Sequence, residues 1–189
     1  MAQAEQTLRE ALAAFAFGKN VAEAVRYGAG HINDTFLVEG EGRRFILQRV
    51  SSAAFKEPDK LMENIVNVTE YLGREIARRG GDPDRETLTV VRPRDGGHSF
   101  TDSAGGVWRA FYFVEGTECY QAAETPELFA ASGRAFGRFQ RLLRDYPAAT
   151  LHETIPHFHD TEDRLRKLKA AIAADPLGRA KDCRAEIDF

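Results

Sequence analysis

Two glycines, Gly28 and Gly30, stand just before an alternating run, Thr35-Phe36-Leu37-Val38, and this order constrains the fold more than any other feature of the chain. Glycine accepts positive φ and lets a backbone come close to a ligand, so a glycine turn can present N–H groups to an anion such as a phosphate. In a dinucleotide site of the Rossmann type the glycines close a strand and open a helix, whose N-terminus takes the pyrophosphate. Here a strand follows the turn, then a tight Gly40-Glu41-Gly42 connection and a second apolar run, Phe45-Ile46-Leu47, with no helical period before about Asp59. The stretch from Tyr27 to Val50 therefore reads as a turn leading into a β-hairpin, and an oxidoreductase of the Rossmann class is set aside.

Composition narrows the class. The chain has 189 residues, 43% of them hydrophobic, and a formal net charge of −3, enough for a core in one domain or two small lobes and without the basic excess that nucleic acid selects. Two isolated cysteines, Cys119 and Cys183, make neither a disulfide framework nor a zinc knuckle. With no cationic leader and no apolar run of about 18 residues, the expectation is a soluble cytoplasmic protein with no membrane or nucleic-acid partner.

Along the chain, Leu8, Leu12 and Phe15 fall at helical spacing over 6–17, with Gly18 as a stop, and Val21 to Tyr27 reads as a strand. The clearest helix runs from Asp59 to Arg79, with Leu61, Ile65, Val68, Leu72 and Ile76 on one stripe, Pro58 at its start and Gly80-Gly81 at its end. Thr87 to Val91 reads as a strand, and His98–Thr101 with Val107–Val114 as a hairpin around Asp102-Ser103-Ala104-Gly105-Gly106. Beyond Glu115-Gly116 the pattern is helical. Thr125-Pro126-Glu127 starts a helix in which Leu128, Ser132, Ala135, Phe136, Phe139, Leu142 and Leu143 form a wide buried stripe, and the aromatic row Phe129, Phe136, Phe139 reads as core. Another helix begins near Thr161, and Arg179 to Phe189 opens a third.

That order, an antiparallel lobe with one helix after its third strand and then a helical lobe, resembles the protein-kinase-like fold. Gly30-His31-Ile32-Asn33-Asp34-Thr35-Phe36 looks like the G-x-x-N-x-T-[FY] turn of the aminoglycoside phosphotransferase and choline kinase superfamily. The strings GHINDTFLV, FILQRV and LMENIVNVTEYL are similar to its N-acetylhexosamine 1-kinase branch. The resemblance implies an α+β fold: a five-stranded antiparallel N-lobe with one helix over residues 1–116, then the beginning of a helical C-lobe over 117–189. It also implies an N-terminal fragment of a longer enzyme.

The resemblance further implies roles. Gly28, Gly30, Asn33 and Thr35 would lie over the phosphates of ATP. Kinases place a lysine on the third strand, paired with a glutamate of the next helix; here those positions fall on neutral Gln48 and Asn64, a self-consistent pair, with Arg49 on the opposite face of the strand. Phosphate attraction then has to come from elsewhere, or from Arg49 across a local bulge. Tyr112 C=O and Val114 N–H of the hinge would bind adenine. Mg2+ would accompany the nucleotide, held by residues missing here, and the acceptor would be a small molecule: an N-acetylated hexose phosphorylated at its anomeric hydroxyl, with choline, homoserine or an aminoglycoside as open alternatives within the superfamily.

Two features limit that reading. The catalytic string H-x-D-x-x-x-x-N of kinases is absent, since every asparagine, Asn20, Asn33, Asn64 and Asn67, precedes the hinge. The chain alone is thus expected to be inactive and to contribute no catalytic residue. Neutral Gln48 favours the alternative of a non-catalytic nucleotide-binding or interaction module on the same fold. His152, His157, His159 and Asp160 invite a metal reading, since His-x-His on a strand points both rings to one side, but no further Cys or Glu at ligand spacing supports it, and surface histidines or contacts to a substrate are expected instead. Ile187-Asp188-Phe189 follows a charged helical pattern, unlike a metal-binding Asp-Phe-Gly element.

Overall fold

A computed structural model describes residues 2–18 and 24–189. These fall into two compact units, one ending at Thr154 and the other running from Ile155 to Phe189. Val21, the expected start of the first strand, lies outside the described residues.

The first unit is built on one antiparallel sheet. Its strands are β1 (Ala24–Arg26), β2 (Asp34–Glu39), β3 (Arg44–Arg49), β4 (Val90–Val91), β5 (Phe100–Thr101) and β6 (Val107–Tyr112). They are ordered β1-β2-β3-β6-β4, and β5 also pairs with β6. Among the described residues the sheet has six strands, the five of the kinase-like lobe and the short ladder of Phe100 and Thr101 against Trp108 and Val107, part of the hairpin expected from 98–101. β4 is shorter than the expected 87–91. Asp82 caps a one-turn helix, α3 (Pro83–Glu86), through Asp84 N–H, and that turn occupies the chain just before it.

Period-two alternation gives the sheet two unlike faces. Val38, Phe45, Leu47, Trp108 and Ala110 point to one side, where they bury with Ala11, Phe15 and Phe17 from the N-terminal segment. Each large side chain so buried contributes about 1.5–3 kcal/mol. Helix α1 covers Ala2–Ala14, starting before the expected residue 6 and ending before Phe15. Phe15 leaves the helix to bridge Pro93, and Phe17 O accepts from Glu41 N–H, so tertiary pairing overrides the helical spacing of the last turn. Gly40 is required where this segment crosses the hairpin: a Cβ there would enter the Phe17 carbonyl and the Phe45 ring.

On the other face lies α2 (Pro58–Arg78), at the expected place, with proline in its first turn and Gly80 at φ +76 just beyond its end. Leu61, Met62, Val66, Leu72 and Ile76 are buried. α4 (Pro126–Leu142) starts as expected, Thr125 Oγ1 accepting from Leu128 N–H at 3.2 Å. Its wide stripe is not buried. Leu142 alone of that stripe is, against Leu72 and Ile76, while Phe129 and Phe136 are 72% and 68% exposed.

The second unit holds α5 (Thr161–Ala174) and α6 (Arg184–Asp188). Asp160 has a structural role: it is the N-cap of α5, its Oδ1 accepting from Asp163 N–H at 2.9 Å. Asp188 pairs with Arg184 within α6.

Candidate nucleotide site

Between α2 and the sheet face carrying Ile46, Gln48, Arg109 and Phe111 lies a cavity of about 820 Å³, within the size range of small-molecule sites. Its lining is apolar at Tyr27, Ile46, Val68, Leu72, Leu88 and Phe111 and polar at Gln48, Asn64, Thr69 and Arg109, and carries the carboxylate of Glu86, which pairs with Arg138. Its edge is the strand exit Tyr112-Phe113-Val114.

That exit is held from several sides. Arg44 forms a two-pronged ion pair with the Glu115 carboxylate and stacks its guanidinium over the Phe113 ring at 4.3 Å. Hydrogen bonding to Arg44 lowers the Glu115 pKa. Arg85 donates to the Glu115 carbonyl at 2.8 Å, Thr117 Oγ1 to the Val114 carbonyl at 3.0 Å, and Tyr27 meets Phe113 edge-on. Tyr112, Phe113 and Val114 line the cavity beside these contacts.

Across the sheet, Thr35, Gln48 and Arg109 are direct neighbours on β2, β3 and β6. Gln48 Nε2 donates to Thr35 Oγ1 and Arg109 Nε donates to Gln48 Oε1, each at 3.0 Å. Arg109 forms no ion pair among the described residues; its guanidinium lies 5.3 Å from the Phe111 ring centre, and burial lowers its pKa. Sequence reasoning left the positive charge of this face unassigned, and Arg109 supplies it. The signal available was the period-two register of β6, which puts Arg109 on the face of Phe111, but pairing with Gln48 needed the strand order.

The other expected site residues divide. Asn64 lines the cavity, yet its amide is committed to main chain: Nδ2 donates to His152 O at 2.8 Å and Oδ1 accepts from His152 N–H at 2.9 Å. The expected Gln48–Asn64 pair is therefore not formed, each amide having found another partner. Asn33 Oδ1 accepts from Ser51 N–H at 2.9 Å, tying the glycine turn to the start of the β3–α2 connection. Gly28 has φ +77, the conformation that selects glycine, whereas Gly30 has no positive φ and open space where a Cβ would stand. Arg49 faces away from the cavity, on the side of Trp108, with its Nε 3.7 Å from Asp102. It borders a second cavity of about 620 Å³ with Ser51, Lys56 and Gly106.

His152 Nε2 lies 2.8 Å from Glu63, and His157 Nδ1 is 3.3 Å from Asp160. Among the described residues no three His, Cys, Asp or Glu side chains gather as a metal ion would require. Nor is any helix among them long and apolar enough to cross a membrane.

An antiparallel sheet with one long helix over its ligand face, a strand exit at the cavity edge, and helices after it define the kinase-like class. Residues 23–188 match the phosphotransferase enzyme family, and the chain belongs to that family. Among solved structures, a microcompartment-associated aminopropanol kinase superposes with a TM-score of 0.51 at 24% identity, over 75% of this chain. That match covers 40% of the aminopropanol kinase, so the chain spans less than half of its length. A spectinomycin phosphotransferase in complex with ADP and spectinomycin matches over 68% of this chain and 34% of its own, at 8% identity and a TM-score of 0.40, too distant to bear on the fold.

Proposed function

We propose that this chain carries the nucleotide-binding part of an ATP-dependent small-molecule kinase. The observation that supports it most is the 820 Å³ cavity, whose lining offers apolar side chains for a purine and polar ones for phosphates, bordered by a strand exit braced by Arg44 and Arg85. Family membership agrees with it. In this reading Tyr112 and Val114 offer main-chain groups to adenine, Gly28 and Gly30 lie over the phosphates, and Gln48 faces them. Asn64 holds the cavity wall, and Thr35 and Asn33, outside its lining, brace Gln48 and the glycine turn, their side chains being bonded within the protein. The functional division falls at residue 116, with a nucleotide lobe before it and a helical lobe after it. Mg2+ belongs to the reading as the counter-ion of the nucleotide.

The acceptor in this reading is an N-acetylated hexose, supported by the strings GHINDTFLV, FILQRV and LMENIVNVTEYL. Phosphoryl transfer of this kind runs on positioning and charge neutralisation, with an aspartate accepting the hydroxyl proton and an asparagine five residues later holding metal. These 189 residues contain no such string beyond the hinge. They are accordingly expected to bind nucleotide without turning it over.

Calorimetric titration of the chain with ADP tests the binding. One site, competed by ATP, is expected, and an absence of heat and of competition overturns the reading. Phosphorus NMR of the chain with Mg-ATP and N-acetylhexosamines is expected to show no sugar 1-phosphate. Turnover above a denatured blank would overturn the assignment of catalysis to residues other than these.

A further inference from the structure

We infer that Arg109 is the phosphate-binding cation of this cleft and that Gln48 is its positioning residue, so the charge which kinases carry on the third strand has moved one strand over, to β6. The inference rests on the nucleotide reading and adds the group that tells a phosphorylated nucleoside from a bare one.

Three observations carry it. First, the Gln48 amide is neutral and anchored at both ends: its NH2 group donates to Thr35 and its oxygen accepts from Arg109, leaving one N–H and one lone pair. A side chain bonded at both ends within the sheet orients its neighbours; it does not recruit an anion. Secondly, Arg109 uses Nε for that bond, which leaves the two terminal nitrogens of a planar five-donor group for another partner, the fork geometry that suits phosphate oxygens. Thirdly, Arg109 lines the cavity with no carboxylate in an ion pair with it among the described residues, and the same cavity contains the glycine turn's neighbour Tyr27 and the strand exit. A cation that is largely withdrawn from water with no counter-charge is costly by itself, and an anion bound beside it would offset that cost. Burial without compensation is also the cause of its lowered pKa.

Arg49, the other arginine within reach of the phosphate position in sequence, is unsuited to this role. It faces the opposite side of the sheet and stands beside Asp102.

The test is the ratio of ADP to adenosine affinity, measured by calorimetry on the full 189-residue chain, with thermal melts in parallel. Arg109→Met is expected to weaken ADP by about tenfold to a hundredfold, the range for hydrogen bonds to a charged group, while adenosine stays within about twofold. Gln48→Glu keeps an acceptor for Arg109 but adds a counter-charge, so it is expected to reduce the same ratio by about tenfold without lowering the melting temperature. Gln48→Ala adds no charge and removes the bond that orients Arg109, so it is expected to lower the ratio as well, whereas a purely structural Gln48 predicts no change in it for that variant. Gln48→Lys in the Arg109→Met background restores a cation at the usual kinase place and is expected to recover part of the ADP preference.

A wild-type chain that prefers ADP, with the preference intact in Arg109→Met and Gln48→Glu, overturns the Arg109 assignment and leaves the nucleotide reading standing. A wild-type chain that binds neither ligand overturns both. Should Arg109→Met fail to fold, Arg109→Gln, neutral but still polar, decides the matter: an unchanged ratio overturns the assignment and a fall of about tenfold supports it.

Discussion

Asp102 accepts the indole N–H of Trp108 at 2.7 Å, and the same buried carboxylate accepts the main-chain N–H groups of Gly106 and Ala104 at 2.7 and 2.9 Å. One side chain thus fixes the β5–β6 turn and anchors the largest residue of the core. Burial alone would raise its pKa; the bonds from Trp108, Gly106 and Ala104, with the charge of Arg49, outweigh it and hold the value below normal. Asp102→Ala would strand the buried indole N–H of Trp108 and remove the acceptor of the Ala104 and Gly106 main-chain N–H groups, and is expected to cost about 3 kcal/mol. For a chain of this size that is a fall of about 6–12 °C in melting temperature. A loss under 1 kcal/mol in denaturant melts would contradict this account.

The lowered pKa of Asp102 has a signed consequence. A depressed carboxylate stabilises the fold above its unfolded pKa, about 3.9, and that contribution disappears as pH falls through the lower folded value. The stability difference between the wild type and Asp102→Asn should therefore be constant from neutral pH down to about 4 and shrink below it. Urea melts across an acid series measure it, and a difference that grows on acidification would refute the assignment.

Asn64 joins α2 to His152 by two hydrogen bonds to main chain. Asn64→Ala is expected to cost about 1–2 kcal/mol of stability and to leave ADP affinity within about twofold. A large loss of affinity with unchanged melting would make Asn64 a direct nucleotide contact instead.

Two glycines of the hairpin region should behave in opposite ways. Gly40→Ala drives a Cβ into Phe17 and Phe45 and is expected to cost more than about 2 kcal/mol. Gly30→Ala meets open space without positive φ and should stay within about 0.5 kcal/mol. Thermal melts of the pair give the ranking, and equal costs would mean that the hairpin relaxes freely around residue 40.

On α4, Leu142→Ala removes the contact with Leu72 and Ile76 and is expected to cost about 2–3 kcal/mol. Phe136→Ser, on the exposed side, should change stability by less than about 0.5 kcal/mol. A destabilisation of Phe136→Ser comparable to that of Leu142→Ala would show that the aromatic row is covered in solution.

Local signals in the sequence determined much of this protein. The 3.6-residue period, the proline at its start and the glycines at its end placed α2 within a residue at either end. Alternation put Gln48 and Arg49 on opposite faces of β3, and the Asp102 to Gly106 cluster marked the turn between β5 and β6. These are properties of a few consecutive residues, and the backbone's small set of conformations makes them legible. Tertiary structure alone decided which groups meet. Gln48 and Arg109 are 61 positions apart, Asn64 and His152 are 88 apart, and no periodicity carries the register that brings them together. The same limit explains α4: its spacing marks an apolar stripe, but what covers a stripe is a matter of packing, and here only Leu142 of that stripe is buried by a neighbouring helix. A pattern reports what a face could bury; the fold decides what it does bury, because burial and hydrogen-bond partnership belong to pairs of surfaces and not to one stretch of chain.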